Sequence, residues 1–355
     1  MIESMDILIT KTERSKLQDI NLENIPFGRY FTDHMLEADF EKGEWKNVEI
    51  KPYQPLLMDP SMAALHYGQA IFEGIKAYRG KDGKAYIFRP YDNFRRFNAS
   101  AHRMNMPVVP EEIFMDGMRQ LIKLDSNWIP SQKDHSLYIR PVMFSTDHML
   151  GVRPSESYKF LIILSPTGPY FVKPMRIAVE EVYTRAAKGG VGYAKNAGNY
   201  GGSMLATTIA NKKGFDQVLW TDAEEHKWLQ EVGMMNVFFI IDGVAVTPSL
   251  EEGTILEGVT RDSVIRGLQD MGIKVEERKI NIDEIVAAYQ SGKLTEIFGT
   301  GTAAVIAPVQ ELNYQGIAMT FQTADYKIAP SIRKWLNDIR EGNIADPYQW
   351  MYKVN

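Results

Sequence analysis

Residues 189–202 read GGVGYAKNAGNYGG, and the reading of this stretch governs the rest of the chain. It places one ammonium, Lys195, among six glycines and otherwise mostly small or aromatic side chains. Its nearest ionisable neighbours are Tyr193 and Tyr200, with Lys188 at the edge. A lysine in such surroundings loses its proton on burial and becomes an amine nucleophile. A flexible glycine loop carrying an exposed lysine accounts for the same letters, so the choice rests on whether other segments supply partners for Lys195.

The composition limits what those partners serve. With 355 residues, 45% hydrophobic and 24% charged, the chain can bury a large core and is expected to form two domains. Forty basic and 45 acidic side chains give a net charge of -5, with no basic block to suggest nucleic acid or an anionic membrane surface, which leaves small molecules as partners. The absence of cysteine excludes disulfides, thiolate metal sites and cysteine nucleophiles, and fits a reducing compartment. The six histidines are scattered without an HExxH pattern, so no metal is expected. The N-terminal MIESMDILITKTERSK fits neither a secretory signal nor a transit peptide, and the longest apolar runs, 160–164 and 237–241, are too short to span a bilayer. The expectation is a cytoplasmic protein.

Upstream of the lysine, the segment 65–90 predicts a helix-like piece from Tyr67, a strand through Ala77, a KDGK turn at 81–84 and a return strand at 85–88. Tyr67 and Phe72 are core aromatics on this reading. After Pro90, Asp92 and Asn93 are capping candidates for a helix that buries Phe94, Phe97 and Ala101. Arg95 and Arg96 point about 100° apart on that helix, so one of them at most faces a given site. A second helix is expected at 111–124. The strand SLYIRPVMF, 136–144, sets Leu137 and Ile139 on one face and Tyr138 and Arg140 on the other. That geometry suits either an exposed sheet face or a hydrogen-bonding pair for a ligand. SPTGPYFVKP, 165–174, punctuates the chain with three prolines and a glycine, and the domain boundary is expected there.

Downstream, a strand at 175–182, a helix at 200–213 and a hairpin with strands at 217–221 and 227–232 are expected. Glu231 lies in an apolar run, where a carboxylate needs a cationic or protonated partner. Thr260 is the expected N-cap of a helix whose first amides, at Val259, Thr260 and Arg261, suit a phosphate. A strand at 274–280 and a helix at 282–290 follow. Thr300, Gly301 and Thr302 interrupt an apolar strand with a tight turn able to hold oxyanions, and a last helix is expected at 331–341. A lysine amine, a buried acid, an arginine, a helix N-terminus and a Thr/Gly turn are together the parts of a pyridoxal 5'-phosphate site.

The ordered motifs FTDHML (31–36), LHY and FEG (65–74), FRPYDNFRRF (88–97), LYIRPV (137–142), LGV (150–152), AKNAGNYG (194–201), EVGMMN (231–236), GVTRDS (258–263) and FGTGTA (298–303) span nearly the whole chain. Through them the chain resembles the branched-chain-amino-acid aminotransferases, class IV pyridoxal-phosphate enzymes. The resemblance implies a two-domain α+β, or mixed α/β, D-amino-acid-aminotransferase-like fold of type IV. It also implies a smaller N-terminal domain (1–167), a linker (168–178), a larger C-terminal domain carrying the cofactor lysine (179–355), and a homodimer.

Position by position, the resemblance makes Lys195 the Schiff-base lysine and proton shuttle, Tyr200 the partner of the cofactor phenolic oxygen and Glu231 the partner of the pyridine nitrogen. Arg96, with Val259, Thr260 and Thr300, is implied to bind the phosphate. The substrate α-carboxylate falls to Thr302 and Ala303. The side-chain pocket is implied to comprise Phe27, Phe72, Tyr138, Arg140 and Tyr170, with Tyr67, Leu150 and Val152 from the neighbouring subunit. Met234 departs from the threonine or alanine common after EVG and bears on substrate preference.

The implied reaction is reversible amino transfer from L-leucine, L-isoleucine or L-valine to 2-oxoglutarate. A D-amino-acid aminotransferase or aminodeoxychorismate lyase would keep Lys195 and Glu231 with a different pocket. A phosphate-ligand binding protein without chemistry would leave Lys195 merely structural.

Overall fold

The structure, a computed structural model, describes residues 7–23, 25–170 and 173–354. Residues 1–6, and residues 171 and 172 of the expected linker, lie outside the described residues. The chain divides into two units. The first takes the described residues of 7–170, then Ala194–Ala197 and 338–354; the second takes 173–193 and Gly198–Asn337. The break after Tyr170 falls inside the expected proline-rich segment. The expected continuous C-terminal domain is interrupted, because the lysine segment and the chain end group with the first unit.

The first unit is built on a nine-stranded sheet of β1 (Leu8–Ile9), β2 (His34–Glu41), β3 (Glu44–Pro52), β4 (Ala70–Phe72), β5 (Ile75–Arg79), β6 (Ala85–Phe88), β7 (Ser136–Ser145), β8 (Ser157–Thr167) and, from the chain's end, β18 (Met351–Lys353). The strand order is β1-β3-β2-β8-β7-β5-β6-β18, with β4 paired to β7. Only β1 and β3 run parallel. Short loops explain much of this, since KDGK closes the β5–β6 hairpin as its letters predict, Gly80 N donating to the Lys84 carbonyl at 2.9 Å.

The first helix, α1 (Ala63–Tyr67), ends at Tyr67 rather than starting there, because Gly68 adopts φ 66° and closes it. The second, α2 (Pro90–Arg103), starts at Pro90, so Asp92 and Asn93 lie inside its first turn and not at the cap. Arg89 holds the cap position with φ 49°, and Asp92 instead pairs with Arg89 Nε at 2.7 Å. The predicted stripe does face the core, with Phe97 and Ala101 fully buried and Phe94 packed beside them. The expected helix at 111–124 is a π-helical turn, Glu112–Asp116, continuing as α3 (Gly117–Leu124), and it buries Ile113, Phe114, Leu121 and Ile122.

The second unit has its own nine-stranded sheet: β9 (Met175–Val179), β10 (Gln217–Thr221), β11 (Leu229–Val232), β12 (Asn236–Ile241), β13 (Val244–Pro248), β14 (Val275–Arg278), β15 (Leu294–Gly301), β16 (Val305–Tyr314) and β17 (Ile317–Thr320). Its order is β11-β10-β9-β16-β15-β12-β13-β14, with β17 on β16. The strand expected at 175–182 stops at Val179, because the Glu180 carboxylate accepts from the amides of Val182 and Tyr183, both at 2.9 Å, and turns the chain.

The helices are α4 (Ala197–Lys212), α5 (Val259–Asp270), α6 (Ile282–Gln290) and α7 (Ile328–Arg340). The start of α7 is fixed by Glu296, 4% exposed, whose carboxylate accepts from the amides of Lys327, Ile328 and Ala329 at 2.7–2.8 Å. Among the described residues no helix is long and apolar enough to cross a membrane.

Candidate active site

In the first unit, Lys195 sits on a short extended strap. Its amide donates to Ser100 Oγ at 2.9 Å, its carbonyl accepts from the Phe72 amide at 3.0 Å, and Asn196 bridges Ile71. The backbone is thus tied to both α2 and β4, and the half-buried side chain brings Nζ to 5.0 Å from the Phe72 ring centroid. The lysine of the glycine-rich stretch is therefore held in place rather than carried on a free loop.

Around it stand the predicted pocket side chains. Arg140 Nη2 donates to the Tyr138 hydroxyl at 3.2 Å, as their alternation on β7 anticipates. Arg140 also lies over the Phe72 ring at 4.7 Å, while Phe27 meets Tyr138 and Tyr170 edge-on at 4.9 and 5.1 Å. Phe27, Phe72, Tyr138, Arg140, Tyr170 and Lys195 form one connected group. Gly74 is required for it, because a Cβ there would lie 2.1 Å from the Tyr138 hydroxyl oxygen. Arg140 Nε is buried without a hydrogen-bond partner among the described residues.

The two adjacent arginines diverge as the helix period demands. Arg95 is on the outside, its side chain 68% exposed and paired with Asp92, whereas Arg96 turns inward. Arg96 Nε and Nη2 donate to the two oxygens of Glu73 at 2.7 and 2.8 Å, and Glu73 is fully buried. This fork-to-fork pairing fixes the guanidinium plane. Tyr67, Leu150 and Val152 are surface residues, 43%, 67% and 87% exposed, and the Tyr67 hydroxyl donates to the Leu150 carbonyl.

In the second unit, Glu231 is 3% exposed on β11. One oxygen accepts from the Leu256 amide at 2.9 Å, and Arg185 Nε lies 3.0 Å from the other, in ionic contact but off the hydrogen-bond axis. Arg185 is anchored in turn by the carbonyls of Gly192 and Thr254. Tyr200 is half-buried in the first turn of α4, which begins three residues earlier than the expected 200.

Helix α5 begins at Val259 with Gly258 as its cap, so Thr260 is the second helical residue and not the N-cap. The glycine is demanded by packing, since a Cβ at 258 would meet Asn236 Oδ1 at 1.9 Å. Asn236 Nδ2 donates to the Leu256 carbonyl at 3.0 Å, and its backbone pairs with Thr300 across β12 and β15. The segment that leads into α5, through Leu256 and the cap Gly258, thereby packs on the residue paired with Thr300. Thr300 is not in the turn as expected: it pairs with Asn236 and Ile306 inside the sheet, and the turn falls at 302–304, holding Thr302 and Ala303. Its hydroxyl is buried and has no hydrogen-bond partner among the described residues. Met234, at the turn after β11, is 54% exposed.

Sequence reasoning missed Glu73, Arg185, Ser100 and Asn236. Glu73 carried the signal that singled out Glu231, a carboxylate inside an apolar run, AIFEGI. Arg185, in a loop of mixed composition, carried none.

Comparison with known proteins places the chain in a family. The family described as amino-transferase class IV matches residues 70–312. Branched-chain-amino-acid transaminase 1 of Bacillus subtilis (strain 168) is 49% identical over 339 residues, covering 93% of this chain and 94% of its own. The crystal structure of Escherichia coli branched-chain amino acid aminotransferase superposes with a TM-score of 0.75 at 26% identity, covering 91% of this chain and 99% of its own. The T.th. branched-chain amino acid aminotransferase solved with pyridoxamine 5'-phosphate has a TM-score of 0.71 at 28% identity, over 90% of this chain and 98% of its own. The chain belongs to the class IV aminotransferases, a pyridoxal-phosphate family of type IV fold, and within it to the branched-chain-amino-acid aminotransferases.

Proposed function

We propose that this protein catalyses reversible amino transfer from L-leucine, L-isoleucine or L-valine to 2-oxoglutarate, giving the branched 2-oxo acid and L-glutamate. The observation that carries the reading is the grouping of Lys195 with Phe72, Tyr138 and Arg140. Aromatic walls suit an apolar branched side chain. A guanidinium with a buried donor to spare, Arg140 Nε, suits the second carboxylate of glutamate.

The residues present fit pyridoxal 5'-phosphate. The buried hydroxyl of Thr300 lacks a partner among the described residues, and the backbone of Thr300 pairs with Asn236, which holds the segment leading into α5; an unanswered hydroxyl there suits a phosphate. When bound, the cofactor supplies an electron sink that makes the substrate Cα–H acidic and holds the amino group between the two half-reactions. Thr300, Val259, Thr260 and Arg96 are assigned to its phosphate, Glu231 to its ring nitrogen and Tyr200 to its phenolic oxygen. Lys195 Nζ is the anchor, and it also takes the proton from the substrate Cα. Arg185 keeps a positive charge against Glu231, and Glu73 sets the plane of the Arg96 guanidinium.

Thr302 and Ala303 are assigned to the substrate α-carboxylate, and Phe27 and Tyr170 to the pocket wall. We further assign Tyr67, Leu150 and Val152 to the pocket of a neighbouring subunit in a homodimer. Their exposure on one chain supports this, as apolar side chains gain by being covered. A cytoplasmic location accords with a chain that has no cysteine.

Steady-state rates with L-leucine, L-isoleucine, L-valine and D-alanine as donors to 2-oxoglutarate test the reading. The three branched L-amino acids should be turned over. Activity with D-alanine and none with L-leucine overturns it. Lys195→Ala should lose turnover and the visible absorbance of the purified protein.

A further inference from the structure

Arg340, at the last turn of α7, is 3% exposed and has no ion pair among the described residues. Its Nε and Nη1 are buried without hydrogen-bond partners. Its guanidinium carbon lies 4.3 Å from the Phe88 ring centroid and 5.7 Å from that of Tyr78. Ring faces attract a cation but accept no N–H in the guanidinium plane, so the donors remain unanswered. Burial pushes the Arg340 pKa down from its ordinary value, which is the mark of a charge without a partner.

Arg340 lines a cavity of about 430 Å³ that lies wholly within the first unit. Asp346 lines the same cavity. One of its oxygens, Oδ2, accepts from the Met351 amide at 2.8 Å, while Oδ1 is buried and has no partner. Arg340 and Asp346 thus line one cavity without pairing with each other, and each keeps a buried polar atom that no protein group among the described residues answers. Ile339, Ile344 and Met351 line the same space and give it an apolar side.

We propose that this cavity is a binding site for a free amino acid with an aliphatic side chain, its carboxylate on Arg340 and its ammonium on Asp346. The chemistry is that of a zwitterion bridging two opposite charges with an alkyl group against isoleucine and methionine. None of these residues belongs to the pocket assigned to Lys195, so the site senses an amino acid without transforming it.

Equilibrium dialysis of radiolabelled L-leucine tests this on the holoenzyme in its amino-loaded form, which has no carbonyl to take up a second amino acid. One leucine is expected per chain. Asp346→Asn should weaken binding about ten- to a hundred-fold, as should Arg340→Met, which keeps the stem on Phe88. Turnover at saturating substrate should remain that of the wild type in both. Should Arg340→Met fail to fold, Asp346→Asn carries the test alone. No leucine bound by the wild type, or undiminished binding by Asp346→Asn, overturns the proposal. So does inorganic phosphate that displaces leucine and binds Asp346→Asn as it binds the wild type, the behaviour of a simple anion site.

Discussion

Arg185 Nε stands 3.0 Å from a Glu231 oxygen, with the two side chains 7% and 5% exposed. An unpaired carboxylate at this depth would be strongly unfavourable, and the guanidinium answers it where solvent cannot. The pair also brings order to its surroundings, since Arg185 ties the carbonyls of Gly192 and Thr254 to the strand that carries Glu231.

Removing one partner leaves a buried charge alone. Arg185→Met is therefore expected to lower stability by roughly 3–5 kcal/mol. Adding Glu231→Gln to that variant should restore a large part of the loss, because a neutral amide tolerates burial better than a lone carboxylate. Urea unfolding of the two single variants and the double variant measures the coupling. Additive losses would show that the contact contributes nothing of its own.

The close approach of Tyr138 to Gly74 yields a test on specificity. A methyl at residue 74 would stand 2.1 Å from the Tyr138 hydroxyl, so Gly74→Ala must displace the ring and with it the Arg140 contact. The KM for 2-oxoglutarate is expected to rise by about ten-fold, the equivalent of one lost hydrogen bond to a charged group, with a smaller change for L-leucine. Equal changes for both substrates would separate Tyr138 and Arg140 from carboxylate recognition.

On β2, Glu37 is buried between Lys51 and Lys159, its Oε2 2.9 Å from Lys51 Nζ. Burial by itself pushes the carboxyl up, but hydrogen bonds and charge from Lys159 and Lys51 outweigh it and hold the pKa below the ordinary value. A carboxyl depressed on folding contributes stability above its unfolded pKa and loses it as pH falls through the folded one. Glu37→Gln is expected to cost roughly 1–3 kcal/mol at neutral pH, and less as the medium is acidified below the ordinary carboxylate range. Unfolding midpoints between neutral pH and about pH 3 should show the two proteins converging.

How far the letters alone carried depended on whether a feature was local. Alternation in SLYIRPVMF placed Tyr138 beside Arg140 because strand geometry is a two-residue rule. The helix period separated Arg95 from Arg96 for the same kind of reason. Position in an apolar run marked Glu231 as buried, and the run was visible without a fold. By contrast, β18 pairs with β6 and the Lys195 strap with β4 across long stretches of chain, and neither pairing leaves a local trace. Helix caps were misplaced by two to four residues, because Arg89 and Gly258 hold the cap positions in place of the residues that propensity favours, Gly258 through its packing on Asn236. Partners such as Arg185 and Ser100 appear only once the chain is folded around the residues they serve.

Thr300 offers the sharpest separation of stability from binding. Its hydroxyl is buried and unsatisfied among the described residues, so it penalises the protein alone and favours a phosphate. Thr300→Val keeps the shape and removes that polar atom. Freed of the cofactor, the variant is expected to be as stable as the parent or more so, by up to about 1 kcal/mol. Its affinity for pyridoxal 5'-phosphate should fall by about ten-fold, read by the visible absorbance retained on dialysis. A purely structural hydroxyl would produce the opposite pattern, with stability lost and cofactor affinity unchanged.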